Sequence, residues 1–262
     1  MTFLFLFFLL GVFGGFLSGV LGIGGAILMI PLMLYAPPLF GFTPLSMNAV
    51  TGLSMIQVFF ASLSGSARHW KNRTISPRLL MSLVVAFSLF ALAGALFSHA
   101  LNGQLLTMIF GCLTVLAAVL MLLPRDRTPL AVPTDGASLH VNTSAALLIG
   151  APVGLLSGLV GVGGGFILIP LMLRFLKTPV RQTVGTSLAV VLFGAVFGAA
   201  GKIATGQVVW LPALALTLGA IPAAQAGARV SALMPEKALR RALLAMVLIT
   251  SLQVWYKILT RP

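Results

Sequence analysis

Residues 18–34 read SGVLGIGGAILMIPLML, and residues 157–173 read SGLVGVGGGFILIPLML. When the two stretches are aligned, four glycines and one proline coincide, and most of the positions between them are of the same type. The pairs are Gly19 with Gly158, Gly22 with Gly161, Gly24 with Gly163, Gly25 with Gly164 and Pro31 with Pro170. The match predicts an internal duplication, and a repeat of this kind constrains the architecture of the whole chain.

The composition of the chain is that of a membrane protein. Hydrophobic residues make up 59% of the sequence and charged residues 7%, whereas soluble domains carry about 25% charged residues. The mean hydropathy is +1.12. A membrane-spanning helix needs ~20 mainly apolar residues, and such stretches follow one another at 3–35, 47–67, 79–98, 104–123, 143–173, 182–201, 208–228 and 238–256. The sequence therefore predicts an all-α integral membrane protein.

The repeat extends beyond the glycine-rich stretches. Gly94-Ala95 and Ser98 correspond to Gly227-Ala228 and Ser231, each ahead of a further apolar helix. The longest polar connection runs from Pro124 to Asn142 and contains several prolines. We therefore expect a first transmembrane repeat at 1–123, a linker at 124–142 and a second transmembrane repeat at 143–262.

Each glycine-rich stretch lies in a segment too long for one span. As a straight helix, residues 3–35 would measure about 50 Å at ~1.5 Å per residue, against a hydrocarbon core of about 30 Å. Glycines in the middle of the segment leave the helical conformation readily. We expect each half to contain one glycine-broken or re-entrant segment followed by three spanning helices.

The distribution of positive charge favours this topology, because Lys and Arg accumulate in short cytoplasmic loops. If both glycine-rich segments were ordinary spans, the two faces would carry similar charge. If each returns to the face it entered from, the second half is inverted relative to the first, and Lys202, Lys257 and Arg261 remain on the outer face. The cytoplasmic face then holds Arg68, Lys71, Arg73, Arg78, Arg125, Arg127, Arg174, Lys177, Arg181, Arg229, Lys237, Arg240 and Arg241.

The two glycine-rich stretches resemble those of the TauE/SafE family, the sulfite exporter family of membrane transporters. The similarity covers nearly the whole chain and includes VGTSL at 184–188 and GARVS at 227–231. The first half departs from it, with TGLSM at 51–55 and Leu96 where Arg229 stands in the second half. The resemblance implies a permease of the cell (inner) membrane for sulfite, sulfonates or related sulfur-containing anions.

The glycines themselves are the first candidates for solute binding. A broken helix presents free amide groups and the positive end of its dipole to an anion. The alternative is close helix packing through small residues. We expect backbone amides at the site from Gly22, Gly24, Gly25, Gly161, Gly163, Gly164 and Gly165.

Polar residues within predicted spans are the second set of candidates, because polar groups in hydrocarbon must find partners. Asn48, Thr51 and Ser54 share one helical face, with Gln57 nearby, and a second group occupies the corresponding span of the other half. We expect a solute-lining role for Asn48, Thr51, Ser54, Gln182, Thr186 and Ser187, with Gln57 and Thr183 as neighbours. The alternative is hydrogen bonding between helices.

The charged residues favour an anionic or neutral solute. All three acids, Asp126, Asp135 and Glu236, fall in predicted connections, whereas membrane proton and cation sites use buried carboxylates or histidines. His69 and His99 at span ends and His140 in the linker are expected to be solvated. Lys202, placed near Arg68 in the repeat alignment, either attracts anions at an outer vestibule or extends to the lipid headgroups, and the second interpretation is the simpler one.

These features do not favour an enzyme. The spans contain no evident nucleophile, acid–base pair or metal cluster, so we expect no catalytic residues, metal ions or cofactors. The positive net charge falls between spans and indicates membrane orientation, so no nucleic acid is expected. The expected partners are a small anionic solute and the lipid bilayer, and nothing indicates a homo-oligomer. An anion-selective channel and a structural or assembly subunit remain alternatives.

Overall fold

The computed structural model describes residues 2–123 and 143–260, and all of the regular secondary structure in these ranges is helical. The linker at 124–142, with Arg125, Arg127, Asp126, Asp135 and His140, and the terminal Arg261 lie outside the described residues. The helices are α1 (Thr2–Leu21), α2 (Ala26–Leu39), α3 (Met47–Lys71), α4 (Pro77–Phe97), α5 (Gly103–Leu122), α6 (Thr143–Val160), α7 (Gly165–Phe175), α8 (Val180–Ala204), α9 (Trp210–Leu233) and α10 (Glu236–Thr260), with a 3-10 turn at Ser98–Ala100 between α4 and α5.

Seven helices in the described ranges are long and apolar enough to cross a membrane: α1, α3, α4, α5, α8, α9 and α10. Their outward faces are apolar as well. On α10, for example, Leu252 is 73% exposed and Ile249 is 59% exposed. Large contiguous apolar surfaces of this kind are rare on soluble proteins, and they suit contact with lipid.

The first glycine-rich segment folds back on itself. The ring of Phe3, at the start of α1, lies 5.0 Å from the ring of Phe42, just after α2. Met29 of α2 also packs against Gly14 of α1. The end of α2 therefore lies near the start of α1.

The helices at the centre of the bundle run in two opposite directions. Lys202 near the end of α8 bonds Thr51 near the start of α3, while Leu188 lies against Gly65 near the end of α3. The helices α3 and α8 are therefore antiparallel. Glycine contacts also show that α9 runs parallel to α1, because residues later in α1 contact residues later in α9. In the same way, α6 and α8 run parallel to α4.

Glycines allow the closest helix contacts. On α1, Gly11, Gly15 and Gly19 lie one turn apart and face the backbone of α9 at Leu216, Ala220 and Ala224. The helices α4 and α6 make a matching contact through Gly154 and Gly158, which face Phe87 and Ala91. Small residues at this spacing let two backbones approach closely in a membrane. In both pairs, the first helix of one half packs against a helix of the other half.

Candidate functional site

The two breaks are built from glycines in the left-handed conformation. The first glycine loop, residues 22–25, separates α1 from α2, and φ is 71° at Gly22, 76° at Gly24 and 74° at Gly25. The second glycine loop, residues 161–164, separates α6 from α7, and the same three positions have φ values of 75°, 74° and 69°. Residues with a side chain rarely adopt this conformation, so glycine is required here. Gly165 is the first residue of α7.

The two glycine loops meet inside the bundle. Gly24 and Gly163 both lie against the same two side chains, Val58 of α3 and Val191 of α8. Gly165 packs against the backbone of Ile23 in the first loop. The candidate glycines of the two halves are therefore brought together, and two valines close the centre between them.

Both short helices begin at this meeting point. The N-cap residues of α2 and α7 are Gly25 and Gly164, which have no side chain to accept bonds from the first-turn amides. The first amides of a helix have no partner within the helix, and they carry the positive end of its dipole. The arrangement suits an anion between the two helix ends.

Each glycine loop is held by the long helix of the other half. Ser187 of α8 donates a hydrogen bond to the carbonyl of Gly22 over 2.9 Å. Gly161 packs against the backbone of Thr51 in α3. The side chains of Ser187 and Thr51 are both fully buried.

The other predicted polar residues occupy three kinds of position. Ser54 and Gln57 are fully buried, and their side-chain polar atoms have no hydrogen-bond partner among the described residues. Thr186 is also buried, and its hydroxyl accepts a bond from the amide of Ser76. Asn48 and Gln182 are only half-buried, in the first turns of their helices.

The expectation that Lys202 extends to the headgroups is wrong. Lys202 is fully buried, because the turn after α4 and the end of α6 cover the last turns of α8. Its Nζ has three N–H donors and lies within hydrogen-bond distance of four acceptors: Ser98 Oγ at 2.6 Å, Thr51 Oγ1 at 3.0 Å, Gln207 Oε1 at 3.0 Å and the carbonyl of Leu159 at 3.2 Å. We call Lys202, Thr51, Ser98 and Gln207 the Lys202 cluster.

The expectation that His69 is solvated is also wrong. The side chain is 3% exposed. Its Nε2 lies 3.2 Å from the carbonyl of Gly19, and its Nδ1 lies 3.0 Å from Thr74 Oγ1. The residue faces inward because the end of α1 packs over it. By contrast, His99 is exposed, as expected.

Contacts also correct the alignment of Lys202 with Arg68. Gly52 packs against Gln207, and Gly185 packs against Thr74 in the same way. His69 follows Gly52 by 17 residues, and Lys202 follows Gly185 by 17 residues. Lys202 therefore corresponds to His69.

Sequence reasoning did not propose Ser18, Ser98 or Gln207 as site residues. Ser18 is fully buried beside Gly25, and its hydroxyl has no partner among the described residues. Ser98 had been noted as a repeat partner of Ser231, which was the available signal. Gln207 lies in a short connection, and its role depends on the burial of Lys202.

Apolar outer faces, seven helices of spanning length and two apposed broken helices define a multi-pass membrane protein of the transporter class. Comparison of the sequence with known protein families identifies the family. The family model described as sulfite exporter TauE/SafE matches residues 7–254, and the chain belongs to that family.

Three relatives illustrate the similarity, and each is named a "probable membrane transporter protein". YunE of Bacillus subtilis is 23% identical, over 95% of this chain and 96% of its own length. YdhB of the same organism is 30% identical, over 90% and 92%. A Haemophilus influenzae protein is 24% identical, over 98% and 99%. No solved structure matches the chain.

Proposed function

We propose that this transporter is a permease for small anions such as sulfite, sulfonates or related sulfur-containing anions. The meeting of the two glycine loops carries the proposal, because it brings the amino ends of α2 and α7 to one place inside the bundle. Transporters bind anionic groups at the amino ends of broken helices. The glycine loops, with Thr51, Ser54 and Ser187 beside them, form the proposed solute path.

The charge of the described interior favours an anion over a cation. Glu236 is the acidic residue that the described ranges contain, and it is exposed at the start of α10. Lys202, in contrast, is buried among neutral oxygen acceptors. Buried carboxylates are the usual cation ligands in membranes, so the balance of charge supports anion transport.

We propose that the halves 1–123 and 143–262 are inverted repeats joined by the linker at 124–142. The antiparallel course of α3 and α8 supports this, as does the antiparallel course of α5 and α10, where Trp255 bonds Gly111 and Arg240 bonds Met121. By the charge rule the basic end faces the cytoplasm. The chain then resides in the inner membrane with both termini outside.

The closed centre favours a carrier over an anion-selective channel. Val58 and Val191 fill the space where the two loops meet, and solute could pass only after the loops separate. A carrier changes shape in each cycle, whereas a channel needs a continuous path. Counterflow separates the two: a labelled anion accumulates against an unlabelled one through a carrier and not through a channel.

The first prediction concerns the glycine loops. Gly24→Leu and Gly163→Leu each place a side chain at positive φ, which costs about 1–3 kcal/mol, and each crowds Val58 and Val191. We expect sulfite uptake into proteoliposomes to fall about tenfold or more, where tenfold corresponds to about 1.4 kcal/mol. Initial rates at equal protein content measure the effect.

The matched control is Gly41→Leu. Gly41 also has a positive φ, of 77°, but it faces open space. This variant tests backbone strain without crowding, and its uptake should stay close to wild type. Undiminished transport by the Gly24 and Gly163 variants would remove the glycine loops from the mechanism, and failure of wild type to move any small anion would refute the proposed function.

A further inference from the structure

Lys202 is the one fully buried charged side chain in the described residues. The acceptors within hydrogen-bond distance of its Nζ are two hydroxyl oxygens, one amide oxygen and one backbone carbonyl. All four are neutral. Removing an ammonium group from water costs free energy that a nearby carboxylate usually offsets, and no carboxylate does so here among the described residues.

We propose that the Lys202 cluster is the anion-recognition site of this transporter, and this inference rests on the proposed function. A small oxyanion binds with one oxygen on Lys202 Nζ and takes the place of the neutral acceptors that the ammonium now holds. Bonds between an ammonium group and an anionic oxygen are stronger than bonds to neutral oxygens. The anion thereby supplies the missing countercharge.

The other members of the cluster supply further donors. Gln207 Nε2 now donates to Ser98 Oγ at 3.0 Å and to Thr205 Oγ1 at 2.7 Å. Ser98 Oγ donates to the carbonyl of Ala95 at 2.6 Å and can turn toward a bound anion. An ammonium, an amide and a hydroxyl together match the three oxygens of a sulfite or an alkylsulfonate. A halide ion is a single acceptor and cannot offer a separate oxygen to each of these donors.

The cluster is joined to the second glycine loop. Lys202 holds the carbonyl of Leu159 in the last turn of α6, and Thr51 packs against Gly161 at the start of the loop. An anion that draws Lys202 away releases the end of α6. Recognition at the cluster is thereby coupled to movement of the second glycine loop.

His69, which occupies the equivalent position in the first half, shows which part of the role of Lys202 is structural support and which part is anion recognition. His69 holds the carbonyl of Gly19, near the end of α1, and pairs with Thr74 as Lys202 pairs with Gln207. An imidazole and a hydroxyl therefore suffice to hold the end of a broken helix. Lys202 places a basic amine at this position in the second half only, and by comparison with His69 the support of α6 does not require one.

Lys202→Met tests the proposal in proteoliposomes with sulfite, methanesulfonate and chloride as probes. The expected result is a KM for sulfite and methanesulfonate raised at least tenfold, with loss of the thermal stabilisation that these anions give the detergent-solubilised protein. The melting temperature without anion should stay equal or rise, because an apolar side chain often replaces a buried ion without loss of stability. Lys202→Arg should keep part of the affinity.

The control is Lys257→Met, which removes a lysine on α10 that lies over the ring of Tyr35 and should leave every KM unchanged. A wild-type KM in Lys202→Met, or a lower melting temperature with no change in KM, overturns the site and leaves the proposed function standing. If none of the three anions is transported by wild type or stabilises it, both are wrong.

Discussion

Two serines at equivalent positions differ in their hydrogen bonding. Ser187, two residues after Gly185, donates to the carbonyls of Gly22 and Val184. Ser54, two residues after Gly52, is fully buried, and its hydroxyl has no partner among the described residues. A buried hydroxyl without a partner costs about 1–3 kcal/mol. A buried hydroxyl of this kind on the proposed solute path is free to donate a hydrogen bond to a bound anion.

We predict opposite effects for the two serine-to-alanine variants. Ser187→Ala removes one bond to the first glycine loop and should destabilise the protein by about 0.6–1 kcal/mol. Ser54→Ala removes no bond, so stability should be unchanged or higher, while the KM for sulfite rises because a solute contact is lost. Thermal unfolding in detergent and uptake kinetics measure the two properties. A stability loss for Ser54→Ala with unchanged KM would contradict the role of Ser54.

Individual residues show which features of the candidate site could be predicted from the sequence. The burial of Thr51, Ser54 and Ser187 followed from their positions within spans. The burial of Lys202 and His69 did not, because both stand near the ends of helices, where a side chain normally reaches solvent. The ends of α6 and α1 cover them, and a contact with a helix from elsewhere in the chain leaves no local pattern.

At the scale of elements, the broken helices were predictable because two physical constraints coincided. The segment 3–35 was too long for one span, and glycines stood in its middle, so a break was the simplest solution. The partners of α1 and α6 were not predictable. Their glycine faces indicated close packing, but nothing local showed that α1 packs against α9 rather than α3 along most of its length.

The packing of α1 on α9 gives the next prediction. A side chain at Gly15 would meet the backbone of Ala220, and backbone cannot move aside as a side chain can. Gly15→Leu should destabilise the protein by about 1–3 kcal/mol or more, seen as a lower melting temperature and less monodisperse protein in detergent. Phe13→Leu, on the lipid-facing side of the same helix at 47% exposure, is the control. Equal melting temperatures for both variants would contradict the close contact.

At the scale of the whole molecule, one end carries most of the positive charge of the described residues. The end where α3 finishes and α4 begins includes Arg68, Lys71 and Arg78, and Arg181 at the start of α8 bonds the end of α9 there. At the opposite end Lys257 lies over the ring of Tyr35, and Lys202 is turned inward. The uneven charge is consistent with the proposed re-entrant segments, and the orientation that it predicts can be tested by labelling.

Cysteine labelling in intact cells tests this orientation. With Cys112 first replaced by alanine, single cysteines are placed at Gly41, Asn72 and Lys177, which lie in connections between helices. If each glycine-rich segment returns to its own face, as we propose, a membrane-impermeant maleimide should label Gly41→Cys from outside. Asn72→Cys and Lys177→Cys should react only after permeabilisation. If each glycine-rich segment were instead a single span, Gly41 and Lys177 would lie on the same face and Asn72 on the other, so that labelling pattern would refute the inverted arrangement.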